Sequence, residues 1–140
     1  MPDDTYDIIY FNGSCSYMED LKPVFEKCLR ALKKGGKLIS LDVPKESAFG
    51  FMYLLGKSLN TYDHEYLKDA MPKLPYPLGL AASGVWHTTE KKINILKDLG
   101  IENFTFYQTL IKNPLYTNEE PEEVSEGYKS GGYVAIIAEK

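Results

Sequence analysis

The sequence predicts an α/β fold with two parallel strands, an antiparallel hairpin at the edge of the sheet and an inserted helical cap. Three observations carry this prediction: two short apolar runs, an amphipathic helical pattern between them, and two more strand-like runs near the end of the chain. Strand, helix and strand within about 40 residues are typical of a right-handed parallel crossover. The length of 140 residues is that of one domain.

The first strand and the helix after it are predicted from a change in apolar periodicity. Residues 8–11 are all apolar and end at the Asn-Gly pair 12–13, which suits a strand buried on both faces. The helix can be capped by Asp20 and is expected to end at the glycines 35–36. Residues 38–43 form the second predicted strand. The apolar stripe of the helix consists of Leu21, Val24, Phe25, Cys28, Leu29 and Leu32.

The middle of the chain, residues 45–87, interrupts this alternation and is predicted to be a partly helical cap inserted in the domain. A helical pattern runs from Ser47 to Leu59, and prolines and glycines break up the remainder. A segment of this length is too long for an idle connection, so we expect it to cover a site. After the cap, Thr88 is expected to begin a helix that ends at Gly100.

Two more strands are predicted near the end of the chain. Residues 104–110 and 133–138 have no helical pattern between them, so we expect them to pair as an antiparallel hairpin. Residues 117–126 hold five glutamates and predict a solvated loop rather than a cation site. Without these glutamates the formal net charge would change from −4 to +1, so this loop accounts for the acidity of the chain.

Composition and charge exclude several classes of function. The chain has 44% hydrophobic and 26% charged residues, which is ordinary for a globular protein. Nucleic-acid affinity depends on clustered Lys and Arg, so nucleic acid is not expected as a partner of this acidic chain. Two cysteines are too few for a disulfide framework, and no apolar run approaches the length of a membrane span. We therefore expect a cytoplasmic protein without a membrane partner.

Four segments carry a family resemblance, in order and at consistent spacing. Residues 2–9 read Pro-Asp-Asp-Thr-Tyr-Asp-Ile-Ile, and residues 29–38 read Leu-Arg-Ala-Leu-Lys-Lys-Gly-Gly-Lys-Leu. With residues 89–104 and 131–138, they resemble the class I S-adenosylmethionine-dependent methyltransferases, in particular those of ubiquinone and menaquinone biosynthesis. The first segment is similar to the entry to the family's fourth strand. Lys34 stands where that family usually has proline.

The resemblance covers only the C-terminal half of that family's Rossmann-like sheet. It implies methyl transfer from S-adenosylmethionine to a small molecule by in-line displacement. The family holds its cofactor chiefly through an earlier half, with a glycine-rich loop after the first strand and an acidic residue at the end of the second. This sequence has no such loop, so we expect weak or absent cofactor binding by the chain alone. Two alternatives remain open: a non-catalytic partner or assembly module, and a fragment of a longer methyltransferase.

The resemblance places three residues beside the cofactor. Asn12, Gly13 and Ser14 follow the strand that corresponds to the family's fourth, where they would face the methionine part and the transferable methyl group. Physically, the carboxyl end of a parallel strand is where α/β sheets bind ligands. The alternative is a simple strand-ending turn, since Asn-Gly-Ser is ordinary turn chemistry.

Two histidines are candidate catalytic groups. His64 lies in a Tyr-Asp-His-Glu cluster that could deprotonate a methyl acceptor, and the alternative is a solvated helix start. His87 lies beside Trp86 at the end of the cap, where the family often has substrate-contacting residues, and the alternative is a local cap. Neither role is specified by the sequence alone.

The cysteines are interpreted as packed thiols. Methyl transfer from a sulfonium needs proximity and alignment rather than a protein nucleophile, so Cys15 is expected to be a small semi-buried side chain. Cys28 lies on the apolar stripe of the first helix and is expected in the core. The dispersed histidines and cysteines match no metal-ligand spacing, so no metal is expected.

Aromatic side chains of the cap are candidates for an apolar acceptor pocket that excludes water. We assign Tyr17, Phe51, Tyr53 and Trp86 to the substrate pocket, with packing of the cap onto the sheet as the alternative. No motif identifies the methyl acceptor. The other aromatic residues considered for this pocket are Phe49, Tyr62, Tyr66 and Tyr76.

The first strand is expected to have an unpaired edge. In the whole fold this strand is central, and its second neighbour would be a strand that this sequence does not contain. An apolar edge with unpaired N–H and C=O groups invites pairing with another chain. We therefore expect a homodimer, or a second chain that supplies the missing N-terminal half.

Overall fold

The computed structural model describes residues 1–68, 77–111 and 122–140. These residues form a mixed α/β structure, which confirms the predicted fold class. A short 3₁₀ turn spans Cys15–Tyr17. The strands and helices are β1 (Tyr6–Asn12), α1 (Lys22–Ala31), β2 (Leu32–Asp42), α2 (Ala48–Leu59), α3 (Leu78–Ser83), α4 (Thr89–Asp98), β3 (Asn103–Thr109), β4 (Ser125–Glu126) and β5 (Tyr133–Glu139).

The strands form one sheet in the order β1-β2-β5-β3-β4. β1 and β2 are parallel, and β5 is antiparallel to both β2 and β3. The predicted crossover and the predicted antiparallel pair are therefore both present. The two-residue strand β4 was not predicted: it falls in the acidic stretch interpreted as a loop and pairs with β3 at Tyr107 and Gln108. Residues 117–121 of that stretch lie outside the described residues.

The main core lies between one face of the sheet and helices α1 and α4. Phe25 of α1 and Leu96 of α4 are both fully buried, and the two helices contact each other and the sheet. Cys28 belongs to this core, as its place on the apolar stripe predicts. The buried residues of the main core are Cys15, Leu21, Phe25, Cys28, Leu29, Leu32, Leu38, Ile93, Leu96, Ile101, Val134, Ile136 and Ala138.

Helix α1 ends earlier than the sequence indicates. The predicted end at the glycines 35–36 is wrong, because α1 ends at Ala31 and β2 begins at the next residue. Gly35 N donates to Lys140 O at 2.8 Å, and Lys140 N donates to Gly36 O at 2.9 Å. The two glycines are thus part of a strand whose register with β1 is irregular at this point. A Cβ on Gly36 would lie 2.9 Å from the carbonyl oxygen of Lys33, which is closer than a side chain tolerates.

Short polar side chains cap the starts of two helices and lie beside the start of a third. Ser47 Oγ caps α2 and accepts a hydrogen bond from Gly50 N at 3.0 Å. The Thr88 hydroxyl caps α4 in the same way. Asp20 lies just outside the cap position of α1, where its Oδ1 accepts from Lys22 N at 3.0 Å. Short polar side chains at these positions satisfy backbone donors that have no partner within the helix.

Strand β1 is not buried on both faces, which corrects the prediction. The side chains of Tyr6, Ile8 and Tyr10 are 39%, 56% and 69% exposed, respectively. Ile9 and Phe11, which point to the opposite face, pack against the main core. The reason is that no described helix packs on the face of β1 that carries Ile8 and Tyr10. An apolar composition alone did not reveal that one face is uncovered.

The predicted cap contains α2 and α3, which contact each other. Its described residues form a second, smaller core of Phe49, Met52, Tyr53, Leu67, Ala81 and Trp86. Residues 69–76, including the candidate pocket residue Tyr76, lie outside the described residues. Among the helices of the described ranges, none has the length and apolar character needed to cross a membrane.

Candidate functional site

A cavity of about 530 Å³ lies where β1 and β2 end, beneath the cap. Gly13 after β1 and Asp42 at the end of β2 line it, together with Tyr133 at the start of β5. The carboxyl ends of parallel strands are the usual ligand-binding edge of an α/β sheet. The cavity is therefore where this fold is expected to hold a ligand.

The wall formed by the cap is aromatic. Tyr53 and Trp86 stack with their ring centroids 5.3 Å apart and an interplanar angle of 19°. Phe49 lies four residues before Tyr53 on α2, so both side chains face the cavity from the same side of the helix. Trp86 Nε1 donates to Ala81 O at 3.2 Å, which fixes the indole. This wall offers a flat apolar surface to a ligand.

The structure brings together three of the four residues assigned to the substrate pocket. Tyr17, Tyr53 and Trp86 line the cavity, whereas the Phe51 side chain is 67% exposed and lies away from it. The assignment of Phe51 fails on helical periodicity, because two residues along α2 rotate a side chain to the far side of the helix. Phe49 takes the place expected for Phe51. Contact of the three lining residues with a substrate stays a prediction.

The two other aromatic residues of the cap that were considered do not line the cavity. Tyr66 is largely exposed. Tyr62 packs against Tyr53, with ring centroids 6.4 Å apart.

Of the three residues assigned to the cofactor, Gly13 lines the cavity, and Asn12 and Ser14 are its neighbours in the chain. The φ of Gly13 is +66°, and a Cβ built there would meet no heavy atom within 4 Å. Asn12 Oδ1 accepts a hydrogen bond from the Tyr133 hydroxyl. Ser14 precedes the 3₁₀ turn. Open space beside a backbone in the left-handed region leaves room for a ligand at this turn.

The two candidate histidines do not line the cavity. His87 is buried, with Nε2 2.7 Å from Met18 O and Nδ1 3.1 Å from the ammonium of Lys91. Burial lowers the pKa of His87, so the neutral imidazole with its proton on Nε2 satisfies both contacts. His64 Nδ1 accepts from Tyr66 N at 3.2 Å within a local turn. Both side chains have structural partners, and a catalytic role for either stays a prediction.

A buried polar cluster that the sequence analysis did not predict adjoins the cavity. The Lys92 ammonium donates to Asp42 Oδ2 at 3.1 Å and to Ser40 Oγ at 3.2 Å, and Ser40 Oγ donates to the same Oδ2 at 3.0 Å. The Asp42 and Lys92 side chains are only 2% and 3% exposed. A signal was present, since Lys92 falls on the apolar stripe of α4 beside Ile93 and Asp42 ends an apolar strand. Each charge needed a partner that sequence alone did not identify.

Cys15 adjoins this cluster, with its Sγ 3.6 Å from Ser40 Oγ. Burial, followed by the nearby carboxylate of Asp42, raises the pKa of the Cys15 thiol to about 11. Because the thiolate is the reactive form, a thiol with this pKa is a poor nucleophile at neutral pH. The structure agrees with its interpretation as a packed side chain.

We expect iodoacetamide to label Cys15 very slowly in the folded protein. With a pKa of about 11, roughly one thiol in a thousand is ionised at pH 8, and the side chain is almost fully buried. Peptide mapping by mass spectrometry after timed labelling measures the rate, and labelling in urea is the control. Complete labelling of Cys15 in the native protein within minutes would contradict this expectation.

No group of three His, Cys, Asp or Glu side chains able to hold a metal ion occurs in the described ranges. In the described residues the site consists of backbone, aromatic side chains and the buried polar cluster.

Comparison with known proteins agrees with this geometry. A family profile described as "Methyltransferase domain" matches residues 1–40. An uncharacterized protein of Methanocaldococcus jannaschii is 31% identical over 99% of this chain, and the match covers 58% of that protein. The chain thus spans somewhat more than half of the length of this relative.

Solved structures of methyltransferases also match this chain. A Thermotoga maritima S-adenosylmethionine-dependent methyltransferase, described as a possible histamine N-methyltransferase, is 27% identical with a TM-score of 0.75, covering 100% of this chain and 58% of that one. A structure of the Haloferax volcanii methyltransferase activator Trm112 in complex with a methyltransferase shares the fold at 14% identity and a TM-score of 0.54, over 99% of this chain and 55% of that one. The chain is thus similar over its whole length to S-adenosylmethionine-dependent methyltransferases, and residues 1–40 match a methyltransferase domain.

Proposed function

We propose that this chain forms the acceptor-binding part of a methyltransferase that transfers the methyl group of S-adenosylmethionine to a small molecule. The observation that carries the proposal is the cavity at the ends of β1 and β2, which is bounded by Gly13 on the sheet side and by an aromatic wall on the cap side. A volume of about 530 Å³ suits a small molecule. A macromolecular acceptor would need a longer, open groove.

The turn after β1 fits one end of the cofactor. The space beside Gly13 is what a Cβ would begin to fill, and the Tyr133 hydroxyl donates a hydrogen bond to Asn12. When bound, S-adenosylmethionine supplies an electrophilic methyl group on a sulfonium. Asn12, Gly13 and Ser14 would hold the part of the cofactor nearest that group. The aromatic wall excludes water and orients the acceptor, because methyl transfer depends chiefly on proximity and alignment.

Most of the cofactor would have to be held by residues outside this chain. The sequence has no glycine-rich loop between a strand and a helix, and such loops supply the backbone donors that cradle a nucleotide-like ligand. We propose that residues 1–140 alone bind S-adenosylmethionine weakly, and that residues outside them complete the site.

Calorimetric titration of the 140-residue chain with S-adenosylmethionine tests this proposal. We expect no saturable binding below roughly millimolar concentration. Micromolar affinity would contradict the weak-binding proposal and show that the chain holds the cofactor unaided. Co-expression with the part of the Methanocaldococcus jannaschii relative that this chain does not match is the second measurement. There we expect cofactor binding and transfer of a labelled methyl group to appear.

A non-catalytic assembly module is the competing proposal. It predicts that neither the chain alone nor the co-expressed pair binds the cofactor. That outcome would contradict the methyltransferase proposal. The exposed face of β1 supports a partner under either proposal, because Ile8 and Tyr10 are large apolar side chains in contact with solvent. Under the assembly-module proposal, the partner that pairs with β1 is a second copy of this chain. Both cysteines are free thiols, which suits a reducing cytoplasm.

A further inference from the structure

The cavity is lined by acidic side chains as well as by its aromatic wall. Its lining includes two carboxylic acids, Asp42 and Glu122, and no Lys, Arg or His side chain among the described residues. Five aromatic side chains complete much of the remaining surface, including the stacked pair Tyr53 and Trp86. Aromatic faces and carboxylates both attract cations, and neither attracts an anion.

One carboxylate oxygen of Asp42, a residue that lines the cavity, has no hydrogen-bond partner among the described residues. Its Oδ2 accepts from the Lys92 ammonium and from the Ser40 hydroxyl. Its Oδ1 is buried and has no hydrogen-bond partner among the described residues. Buried carboxylate oxygens are nearly always hydrogen-bonded, because an unmade bond at such an atom costs free energy. Since Asp42 also lines the cavity, a ligand in the cavity is the natural source of the missing donor.

The surroundings of Asp42 hold its carboxylate in place for this role. Lys92 and Ser40 engage only one oxygen, and they fix the orientation of the carboxyl group from the side of α4 and β2. A second donor at Oδ1 would therefore meet a carboxyl group whose orientation is already fixed, which lowers the entropic cost of binding.

We infer that the ligand of this cavity is an amine with an aromatic or other flat apolar body, whose N–H group donates to Asp42 Oδ1. The inference deepens the proposed function: if the cavity receives the methyl acceptor, that acceptor carries a protonated amine as its recognition group. The apolar body lies against the wall of Phe49, Tyr53 and Trp86. A ligand with a carboxylate in place of the amine would face two carboxylates and no cationic side chain among the described lining residues, since Lys92 lies behind Asp42 and not in the lining.

The test compares three probes that share a phenyl ring and a two-carbon spacer: 2-phenylethylamine, 2-phenylethanol and 3-phenylpropanoate. Trp86 is the only tryptophan in the chain and lines the cavity, so quenching of its fluorescence reports binding. We expect the amine to bind at least about tenfold more tightly than the carboxylate, with the alcohol between them, since a charged hydrogen bond and cation–π contact have that size.

The variant that isolates Asp42 is Asp42→Asn combined with Lys92→Met, because removing the carboxylate alone would leave a buried ammonium unpaired. In this double variant we expect the preference for the amine over the carboxylate to fall to within about twofold. Asp98→Asn, an exposed change on the same helix α4, is the matched control and should keep the wild-type preference. Thermal unfolding of each variant shows whether it is folded.

Equal binding of the three probes by the wild-type chain, or no binding of the amine, overturns the inference. An amine preference that persists in the folded double variant overturns the assignment to Asp42. If the double variant does not fold, the wild-type ranking is combined with NMR, where titration of the amine should shift the signals of Ser40 and Asp42. Absent shifts there count against the site. None of these readouts needs S-adenosylmethionine, so the inference and the proposed methyl transfer fail independently.

Discussion

Asp42→Asn is expected to lower the free energy of unfolding by about 3–5 kcal/mol. The substitution removes the only carboxylate that pairs with Lys92 in the described residues, and the Lys92 side chain is 3% exposed. Its ammonium would keep the Ser40 hydroxyl as a hydrogen-bond partner but would lose its counter-ion in a site that water does not reach. An uncompensated buried charge is among the most destabilising changes that a single substitution makes.

Urea unfolding followed by circular dichroism measures this effect. The double change Asp42→Asn and Lys92→Met should recover most of the lost stability, because the buried pair is then replaced by neutral groups of similar volume. Asp7→Asn is the matched control: Asp7 pairs with Lys33 at 2.9 Å, but both side chains are exposed, and such pairs contribute about 0–1 kcal/mol. Equal losses for Asp42→Asn and Asp7→Asn would show that the buried pair has no special role in stability.

The second large effect is expected at the exposed face of β1. If a second copy pairs there, replacing Ile8 and Tyr10 together with lysine should convert a dimer into a monomer. Both side chains are more than half exposed, so the folded chain has room for lysine at these positions. Charged lysines on a strand at the edge of a sheet oppose its pairing with another chain.

Sedimentation velocity of both proteins over a range of concentrations measures the change. We expect the dissociation constant of the dimer to rise by at least about a hundredfold, since two like charges on each copy would face each other across the interface. A second variant with Tyr66→Lys and Val124→Lys, which alters exposed apolar side chains elsewhere, should leave the dimer intact. A wild-type chain that stays monomeric at all concentrations would contradict the pairing proposal.

The local features of the fold followed from short-range rules. Thr88 caps α4 as predicted, because a cap needs only a short polar side chain a few residues from the amide that it accepts from. The predicted strands are present, since unbroken apolar runs bounded by turns have few other structures. The parallel crossover followed from the order of these elements.

The predictions that were wrong concern features that depend on residues distant in sequence. The glycines 35–36 end many helices, but here the C-terminal Lys140 bonds to both and draws them into β2. The apolar run of β1 reads as a strand covered on both faces, yet no described helix covers Ile8 or Tyr10. In both cases the local pattern was typical of the predicted feature, but it did not indicate which distant residues would contact the segment.

Some residues of the candidate site could likewise be predicted from local patterns, and others could not. Tyr53 and Trp86 could be assigned to a pocket because aromatic residues cluster in the cap, and the structure places both in the wall. Phe51 could not be distinguished from Phe49 until the orientation of α2 was known. A role for Asp42 was not predicted, because a single acidic residue in a strand indicates no function by itself. Its partner Lys92, 50 residues later, is identified only by the tertiary structure.

The sequence by itself predicted most of the elements, their order and the family resemblance, because these rest on periodicity, turn chemistry and motifs that are local. Only the tertiary structure decided which face of β1 is exposed, which aromatic side chains enter the cavity and which buried charge lies at its edge. The physical reason is that burial and pairing are properties of contacts between distant segments. Such contacts fix the orientation of Asp42 through Lys92 and Ser40, and no local pattern specifies them.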